Sequence, residues 1–210
     1  MNSDFLVKII IVGESGVGKT SFVTRYVERT DIDYFHAPTI GVDLKVSIHD
    51  VEGKKIKCHI WDTAGQDNFQ HIITTYFKGV GGVICMYDVT KPSTLEAAKR
   101  WIEKVKDHNN AETLPIILVG NKIDRQHEMK TISEAKKLAE DNGWLYSDIS
   151  SKSNMNIDRT FDMLICDIYE RVIKLGKESP GIRPAVNYSD TANLLSKKRD
   201  SETLTCCTIS

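Results

Sequence analysis

Two periods of apolar residues alternate along the chain from residue 6 to about 175. Leu6 to Val12 is a continuous β-branched run suited to a strand buried on both faces. Val42, Leu44, Val46 and Ile48 alternate with polar residues, as do Ile56, Cys58 and Ile60, and Asp50-Val51-Glu52-Gly53 between them is turn chemistry. These two strands are expected to form an antiparallel hairpin. Val83 to Tyr87 and Ile116 to Val119 read as further buried strands, and Trp144 to Ile149 as a sixth. Between them the period lengthens to that of a helix. Ser93-Thr94-Leu95-Glu96 reads as a capping box ahead of Leu95, Ala98, Trp101, Ile102 and Val105. Thr131-Ile132-Ser133-Glu134 reads as a second box ahead of Leu138, and Ile157, Phe161, Leu164, Ile165, Ile168 and Val172 form the stripe of a last helix. Strands alternating with helices predict an α/β architecture with a largely parallel sheet. After Leu175 no apolar period resumes, and Ser179-Pro180-Gly181-Ile182-Arg183-Pro184 ends the last helix. Residues 1–176 are expected to be one domain and residues 177–210 a flexible tail, which as a coil would span on the order of 30–35 Å.

Composition narrows the class. Of 210 residues, 28 are Lys or Arg and 29 are Asp or Glu, a net charge of -1, which argues against a nucleic-acid partner. A hydrophobic share of 40% and a charged share of 27% are those of an ordinary globular protein. No apolar run approaches the roughly 20 residues of a membrane span, and Ile9 to Val12 has no cleavage pattern behind it, so a cytoplasmic protein is expected. Cys58, Cys85 and Cys166 sit in apolar stretches and are expected to be buried; their spacing fits neither a zinc ribbon nor a redox pair. Cys206 and Cys207 lie side by side in a polar tail with nothing to bury them, and they call for a role. Lys54, Lys55 and Lys57 read as a solvated strand face, and the six histidines show no ligand spacing.

The first strand runs directly into Gly13-Glu14-Ser15-Gly16-Val17-Gly18-Lys19-Thr20, which fits G-x-x-x-x-G-K-[ST], followed by Ser21 and a helix carrying Phe22, Val23, Tyr26 and Val27. Glycines let the backbone curl so that successive N–H groups face a polyphosphate, and the helix dipole adds to the attraction. Lys19 would bridge β- and γ-phosphate oxygens, and the Thr20 hydroxyl would ligate Mg²⁺. A nucleoside triphosphate is the expected ligand.

Asn121-Lys122-Ile123-Asp124 follows another buried strand, and ligands of doubly wound sheets sit at the carboxyl ends of strands. An ionised Asp only accepts hydrogen bonds. Guanine offers two adjacent donors, N1–H and its 2-amino group, whereas adenine has an acceptor at N1. Asp124 would pair with guanine and be stranded against adenine, a mismatch that discriminates by roughly 10⁴ or more. Ser150-Ser151-Lys152, after the sixth strand, reads either as an ordinary polar turn or as a third base-contacting loop. Trp61-Asp62-Thr63-Ala64-Gly65-Gln66 ends the third strand. Asp62 is placed to hold Mg²⁺ through water, Gly65 to bring its N–H to the γ-phosphate, and Gln66 to orient the attacking water. Thr39, in the loop after the first helix, would complete the Mg²⁺ shell only while the triphosphate is present.

The ordered set GESGVGKT, Thr39, WDTAGQ, NKID and SSK resembles the Ras superfamily of small GTPases and, through Ile40-Gly41-Val42-Asp43-Leu44, Tyr76-Phe77-Lys78-Gly79 and Met86-Tyr87-Asp88-Val89-Thr90, the Rab family more closely. The resemblance covers residues 6 to about 175 and resumes at the terminal cysteines. It implies a P-loop NTPase fold: a six-stranded, mostly parallel sheet with one antiparallel hairpin strand and about five helices on both faces. It also implies two switch regions, about residues 30–44 and 62–79, an effector surface including Ile40, Gly41, Leu44, Trp61 and Tyr76, and GTP hydrolysis to GDP. Departures from the Rab pattern are Asp67-Asn68 after the glutamine, Pro38 before the switch threonine, Ile32 where an aromatic is usual and Leu44 where the family has an aromatic. They bear on partner identity more than on nucleotide binding.

No arginine lies inside switch I, and Arg29 is the nearest, so slow intrinsic hydrolysis accelerated by a GTPase-activating protein is expected, an effect of roughly 10³–10⁵. Effector proteins, an exchange factor and a prenylation escort or GDI-type chaperone complete the implied partners of a monomer. The ending Cys206-Cys207-Thr208-Ile209-Ser210 reads as a C-a-a-X signal for farnesyl on Cys207 or as a Rab-like pair carrying two geranylgeranyl groups; either anchors the chain to the cytosolic face of a membrane. The function expected is a switch in vesicle traffic. A GTP-holding scaffold without useful turnover, or a signalling switch outside vesicle traffic, is the alternative, and an ATPase or kinase is disfavoured by Asp124.

Overall fold

The computed structural model describes residues 3–30, 39, 41–65, 73–109, 114–126, 129–177 and 179–185. Six strands lie side by side in the order β2-β3-β1-β4-β5-β6: β1 (Phe5–Val12), β2 (Val42–Val51), β3 (Lys54–Thr63), β4 (Gly82–Asp88), β5 (Ile116–Asn121) and β6 (Leu145–Ile149). All neighbours run parallel except β2 against β3. That hairpin closes on Glu52 and Gly53, both at positive φ (50° and 76°), and the Gly53 N–H donates to Asp50 Oδ1 at 3.0 Å. Two left-handed residues match the twist of paired strands, which is why Gly belongs there.

Four α-helices cover the sheet among the described residues: α1 (Lys19–Val27), α2 (Pro92–Lys106), α3 (Met129–Asp141) and α4 (Ile157–Ile168). Alternation along β1 divides the core. Ile10 and Val12 face α2 and α3 with Tyr87, Trp101 and Ile102, while Ile9 and Ile11 face α1 and α4 with Phe22, Met86 and Phe161. Phe161 stacks between Phe22 (ring centroids 4.8 Å apart) and Tyr26 (3.7 Å). Each such side chain removed from water contributes about 1.5–3 kcal/mol. Gly82 has no room for a side chain: a Cβ would lie 2.7 Å from Ile168 Cδ1, so α4 rests directly on β4.

Three local expectations need correction. Helix α2 starts at Pro92 after an extended Lys91, ahead of the expected box at Ser93, because Pro supplies the helical φ at a position whose N–H is not needed. Thr94 is used instead to tie the helix to β4: its hydroxyl donates to Lys91 O (2.6 Å) and accepts from the Asp88 N–H (3.0 Å). Thr131, expected to cap, lies inside α3 and is buried. Cys166 is exposed, unlike buried Cys58 and Cys85, because on α4 it points away from the stripe of Ile165 and Ile168. The last helix keeps its stripe as far as buried Val172, but changes from α to one π turn over Tyr169–Ile173.

Within the stretch expected to be tail, residues 179–185 carry described structure. Ile182–Pro184 forms a seventh strand, β7, antiparallel to Phe5, Leu6 and Val7 of β1. The Lys8 N–H donates to Gly181 O at 2.8 Å, and the Ala185 N–H to Asp4 O at 2.8 Å. Gly181 and Gly81 touch backbone to backbone; a Cβ on Gly181 would lie 2.0 Å from Gly81 N. Main-chain pairing of this kind needs no apolar period, so the sequence pattern does not reveal it. Described structure therefore extends through the root of the expected tail to Ala185.

Candidate nucleotide-binding site

The carboxyl ends of β1, β3, β4, β5 and β6 gather five loops at one rim of the sheet. β1 feeds α1 on one face and β4 feeds α2 on the other, so the rim between them is the crevice where such sheets bind ligands. The loop Gly13–Thr20 needs its glycines for distinct reasons. Gly13 (φ 141°) lies against β4, where a Cβ would come within 2.3 Å of Met86 O. Gly18 (φ 100°), the N-cap of α1, abuts Asn121, where a Cβ would come within 2.3 Å of Nδ2. Gly16 is also left-handed (φ 76°), without steric crowding. Glu14, Ser15 and Val17 complete the loop, and Ser21 lies in the first turn of α1.

Lys19 is buried, and its Nζ folds over the loop to donate to Gly13 O (2.8 Å) and Glu14 O (2.9 Å). Burial pushes its pKa down to about 8, against the opposing pull of Asp62. A buried ammonium with neutral acceptors is poised for anionic ones. Gly65 approaches the same loop so closely that a Cβ would lie 2.5 Å from Ser15 N and from Lys19 Nζ.

Three side chains bearing oxygen converge beside the lysine. The Thr20 hydroxyl donates to Asp62 Oδ2 at 2.6 Å and meets the Thr39 hydroxyl at 2.6 Å. Asp62 is buried; burial raises its pKa, while Thr20 and Lys19 oppose the rise. Its second oxygen, Oδ1, is buried without a hydrogen-bond partner. An orphaned carboxylate oxygen beside two hydroxyls fits a hard divalent cation, and Mg²⁺ completes its shell with water and ligand phosphates. No cluster of three or more His, Cys, Asp or Glu suited to a metal occurs among the described residues.

Asn121 joins the loops. Its Nδ2 donates to Val17 O (2.8 Å), and its Oδ1 accepts from the Lys122 N–H (2.8 Å), the Ser151 N–H (3.0 Å) and Ser151 Oγ (3.2 Å). Lys122, at φ 74°, reaches Gly16 O (2.6 Å) and pairs with Asp88 (2.7 Å). Burial alone would raise the Asp88 pKa, yet Lys122 and Thr90 hold it below the ordinary carboxylate value. Asp124 is exposed and accepts from Ser150 Oγ at 2.6 Å, which leaves acceptor capacity on the carboxylate. Arg25 of α1 donates to Ser151 O (3.3 Å) and Lys152 O (3.1 Å), holding the last loop against the first helix. Sequence reasoning gave no role to Asp88 or Arg25. Asp88 carried a signal, an acid at a strand's carboxyl end; Arg25 carried none.

Asn121 thus bonds both to the loop that carries Lys19 and to the loop that carries Ser151. Over residues 8–170 the sequence matches the family model described as Ras family. The chain belongs to the Ras family. Within it the chain is Rab-like: it is 35% identical over 207 residues to Ras-related protein Rab-13 of Mesocricetus auratus, covering 98% of this chain and 97% of that protein. It is 32% identical to Ras-related protein RABA5d of Arabidopsis thaliana (99% and 96% covered) and 41% identical to Ras-related protein RabC of Dictyostelium discoideum (80% and 86% covered). The fold is that of a small GTPase, and members of the family are GTPases that bind GTP and GDP.

On this Rab-like chain the surface beside the rim carries Leu44, exposed and opposite Trp61 in the β2–β3 register, and Trp61 against Tyr76 with ring centroids 5.1 Å apart. Gly41 O accepts from the Ala64 N–H at 2.9 Å, linking the segments on either side of the hairpin. Arg29 pairs with Asp158 at 2.5 Å and lies over the Tyr26 ring, engaged with α4 and α1. Gln66, Ile40, Ile32, Pro38, Asp67, Asn68, Cys206 and Cys207 lie outside the described residues. No helix among the described residues is long and apolar enough to cross a membrane.

Proposed function

We propose that this protein is a Rab-type switch that binds GTP with Mg²⁺, hydrolyses it slowly to GDP, and recruits effector proteins to a membrane in the GTP state during vesicle transport. The contact among Thr20, Thr39 and Asp62 carries the reading, because it links the phosphate loop to a residue between the first helix and the hairpin. Lys19 and the N–H groups of Gly13 to Ser21 hold the phosphates; Thr20, Thr39 and Asp62 hold the cation; Asn121, Lys122, Asp124, Ser150, Ser151 and Lys152 frame the base. When bound, the cation neutralises charge on the transferred phosphoryl group. Gln66 orients water, and the Gly65 N–H stabilises the γ-phosphate. Arg29 is held by Asp158, which supports an arginine supplied by a GTPase-activating protein. Loss of the γ-phosphate frees Thr39 and the Gly65–Gln66 segment, and the surface of Ile40, Gly41, Leu44, Trp61 and Tyr76 loses its GTP-state form. An exchange factor reloads GTP. Cys206 and Cys207 carry the lipid, and an escort or GDI-type chaperone shields it between membranes.

Affinity capture tests the switch. Full-length Gln66→Leu loaded with GTP is expected to retain effectors that the GDP-loaded protein does not. Identical partners for the two forms would reduce the protein to a nucleotide-holding scaffold.

A further inference from the structure

At the end of β1 away from the phosphate loop, β7 and the end of the last helix flank a pocket of about 680 Å³. Its walls include Phe5, Val172, Ile173, Pro180, Ile182 and Pro184. Two local features build it. Phe5 lies opposite Pro184 in the β1–β7 pairing, and Ile182 is two residues from Pro184 on the same strand, so the three share a face. The π turn brings Val172 and Ile173, and the chain leaves it through Gly176, left-handed at φ 60°, with the Lys177 N–H donating to Val172 O at 3.0 Å. Val172 is buried, but Ile173 and Ile182 are only half-buried, and Pro180 and Pro184 are exposed. Leu175, next to Gly176, is 62% exposed.

The volume lies in the range of roughly 300–1,000 Å³ typical of ligand pockets, room for more than one aliphatic side chain. Among the described residues the polar side chains in its walls are Lys177 and Ser179. Lys177 is exposed and makes no ion pair among the described residues. The chain leaves the described structure at Ala185, the residue after Pro184 of the wall, and residues 186–210 follow. Within them Leu194-Leu195 is the only adjacent pair of large aliphatic residues. Ahead of it Asn187, Ser189 and Asp190 favour turns, and a reversal takes about four residues, so the stretch 186–193 is long enough to bring the pair back to the wall. Val186 and Tyr188 follow Pro184 too closely to reverse, and Leu204 and Ile209 stand singly beside the terminal cysteines. Asp190 supplies a carboxylate for Lys177, and Lys197-Lys198-Arg199 after the pair keeps the far end of the segment in water.

We propose that Leu194 and Leu195 fold back into this pocket of their own chain. Little intrinsic affinity is needed, because a short linker gives an effective concentration in the millimolar range. None of the wall residues belongs to the phosphate loop, the base loops or the surface of Leu44, Trp61 and Tyr76, so the contact is separate from nucleotide and effector binding. Docking moves the start of the free tail from Ala185 to Leu195, and the coil reaching Cys206 shortens from about 25 Å to about 18 Å. That shorter reach matters to a membrane only on the lipid reading of Cys206 and Cys207; the docking does not rest on it and is tested without lipid.

The test uses full-length, unlipidated protein loaded with GDP, with the Ile, Leu and Val methyl groups labelled for NMR. Expected are nuclear Overhauser contacts from the Leu194 and Leu195 methyls to those of Ile173 and Ile182, unchanged by tenfold dilution. The double variant Leu194→Ser, Leu195→Ser shifts the Val172, Ile173 and Ile182 methyls, whereas Leu204→Ser does not, and both keep wild-type GDP affinity. The acetylated, amidated peptide of residues 186–199 binds the double variant at least fivefold more tightly than it binds wild type, whose pocket is already filled. Missing contacts, the same methyl shifts in Leu204→Ser, or equal peptide affinity for the two proteins overturns the proposal. So do contacts that arise between differently labelled chains and fade on dilution, which would make the pocket an interface between copies.

Discussion

Replacing Asn121 with alanine removes the side chain that joins three loops. Val17 O loses its donor, and the Lys122 and Ser151 N–H groups lose their acceptor. Val17 and Ser151 are buried, so water does not readily replace what is lost. A buried polar group left unpaired costs about 1–3 kcal/mol, so the two together cost about 3 kcal/mol, on the order of a hundredfold in an equilibrium constant. Ser151→Ala is the internal comparison. It removes only the Oγ contact at 3.2 Å and keeps the N–H bond, for an expected loss of about 0.5–1 kcal/mol. Urea unfolding of the GDP-loaded protein reads the stability, and release of a fluorescent GDP analogue reads the site. The expected result is a large drop in both for Asn121→Ala and a small one for Ser151→Ala. Asn121→Ala with stability within about 0.5 kcal/mol of wild type and unchanged nucleotide release would refute the reasoning, because the loops would then be held by something other than this amide.

Further outcomes follow from the same geometry. The Asp88 pKa is lower in the folded than in the unfolded chain, so its contribution to stability is present above the unfolded value of about 3.9 and is lost as pH falls through the folded value. Acid titration of unfolding free energy is therefore expected to fall more steeply below about pH 4 in wild type than in Asp88→Asn; parallel curves would remove the Lys122–Asp88 pair from the account. Gly181→Val is expected to detach β7, because even a Cβ there would lie 2.0 Å from Gly81 N. Hydrogen exchange at the Lys8 amide should then rise at least tenfold with GDP affinity unchanged, since β7 lies at the end of β1 away from the phosphate loop; unchanged exchange would count against the pairing.

What could be read beforehand was what is written in consecutive residues. A phosphate loop is local: its glycines, lysine and threonine are neighbours in the chain, and the strand before it and helix after it show their own periods. The hairpin turn at Glu52-Gly53 was legible for the same reason. Asn121 was visible as part of a base-reading tetrad, but its bonds to Val17 and Ser151 depend on how three distant loops meet. Ser150-Ser151-Lys152 stayed ambiguous in the sequence because the contacts that place it come from Asp124, Asn121 and Arg25. Pairing between main chains leaves even less trace, so Ile182–Pro184 read as tail while its backbone completes an open stretch of β1. Cys166 was misread because an apolar neighbourhood in sequence spans both faces of a helix, and only the phase of the turn separates Ile165 from Cys166.

The central claim is that the rim built around Asn121 selects guanosine phosphates. Calorimetric titration of nucleotide-free protein with GDP and with ADP, in the same buffer with Mg²⁺, tests it most directly. The account predicts tight one-to-one binding of GDP and affinity for ADP lower by roughly 10⁴ or more. Comparable heats and affinities for the two nucleotides would contradict it.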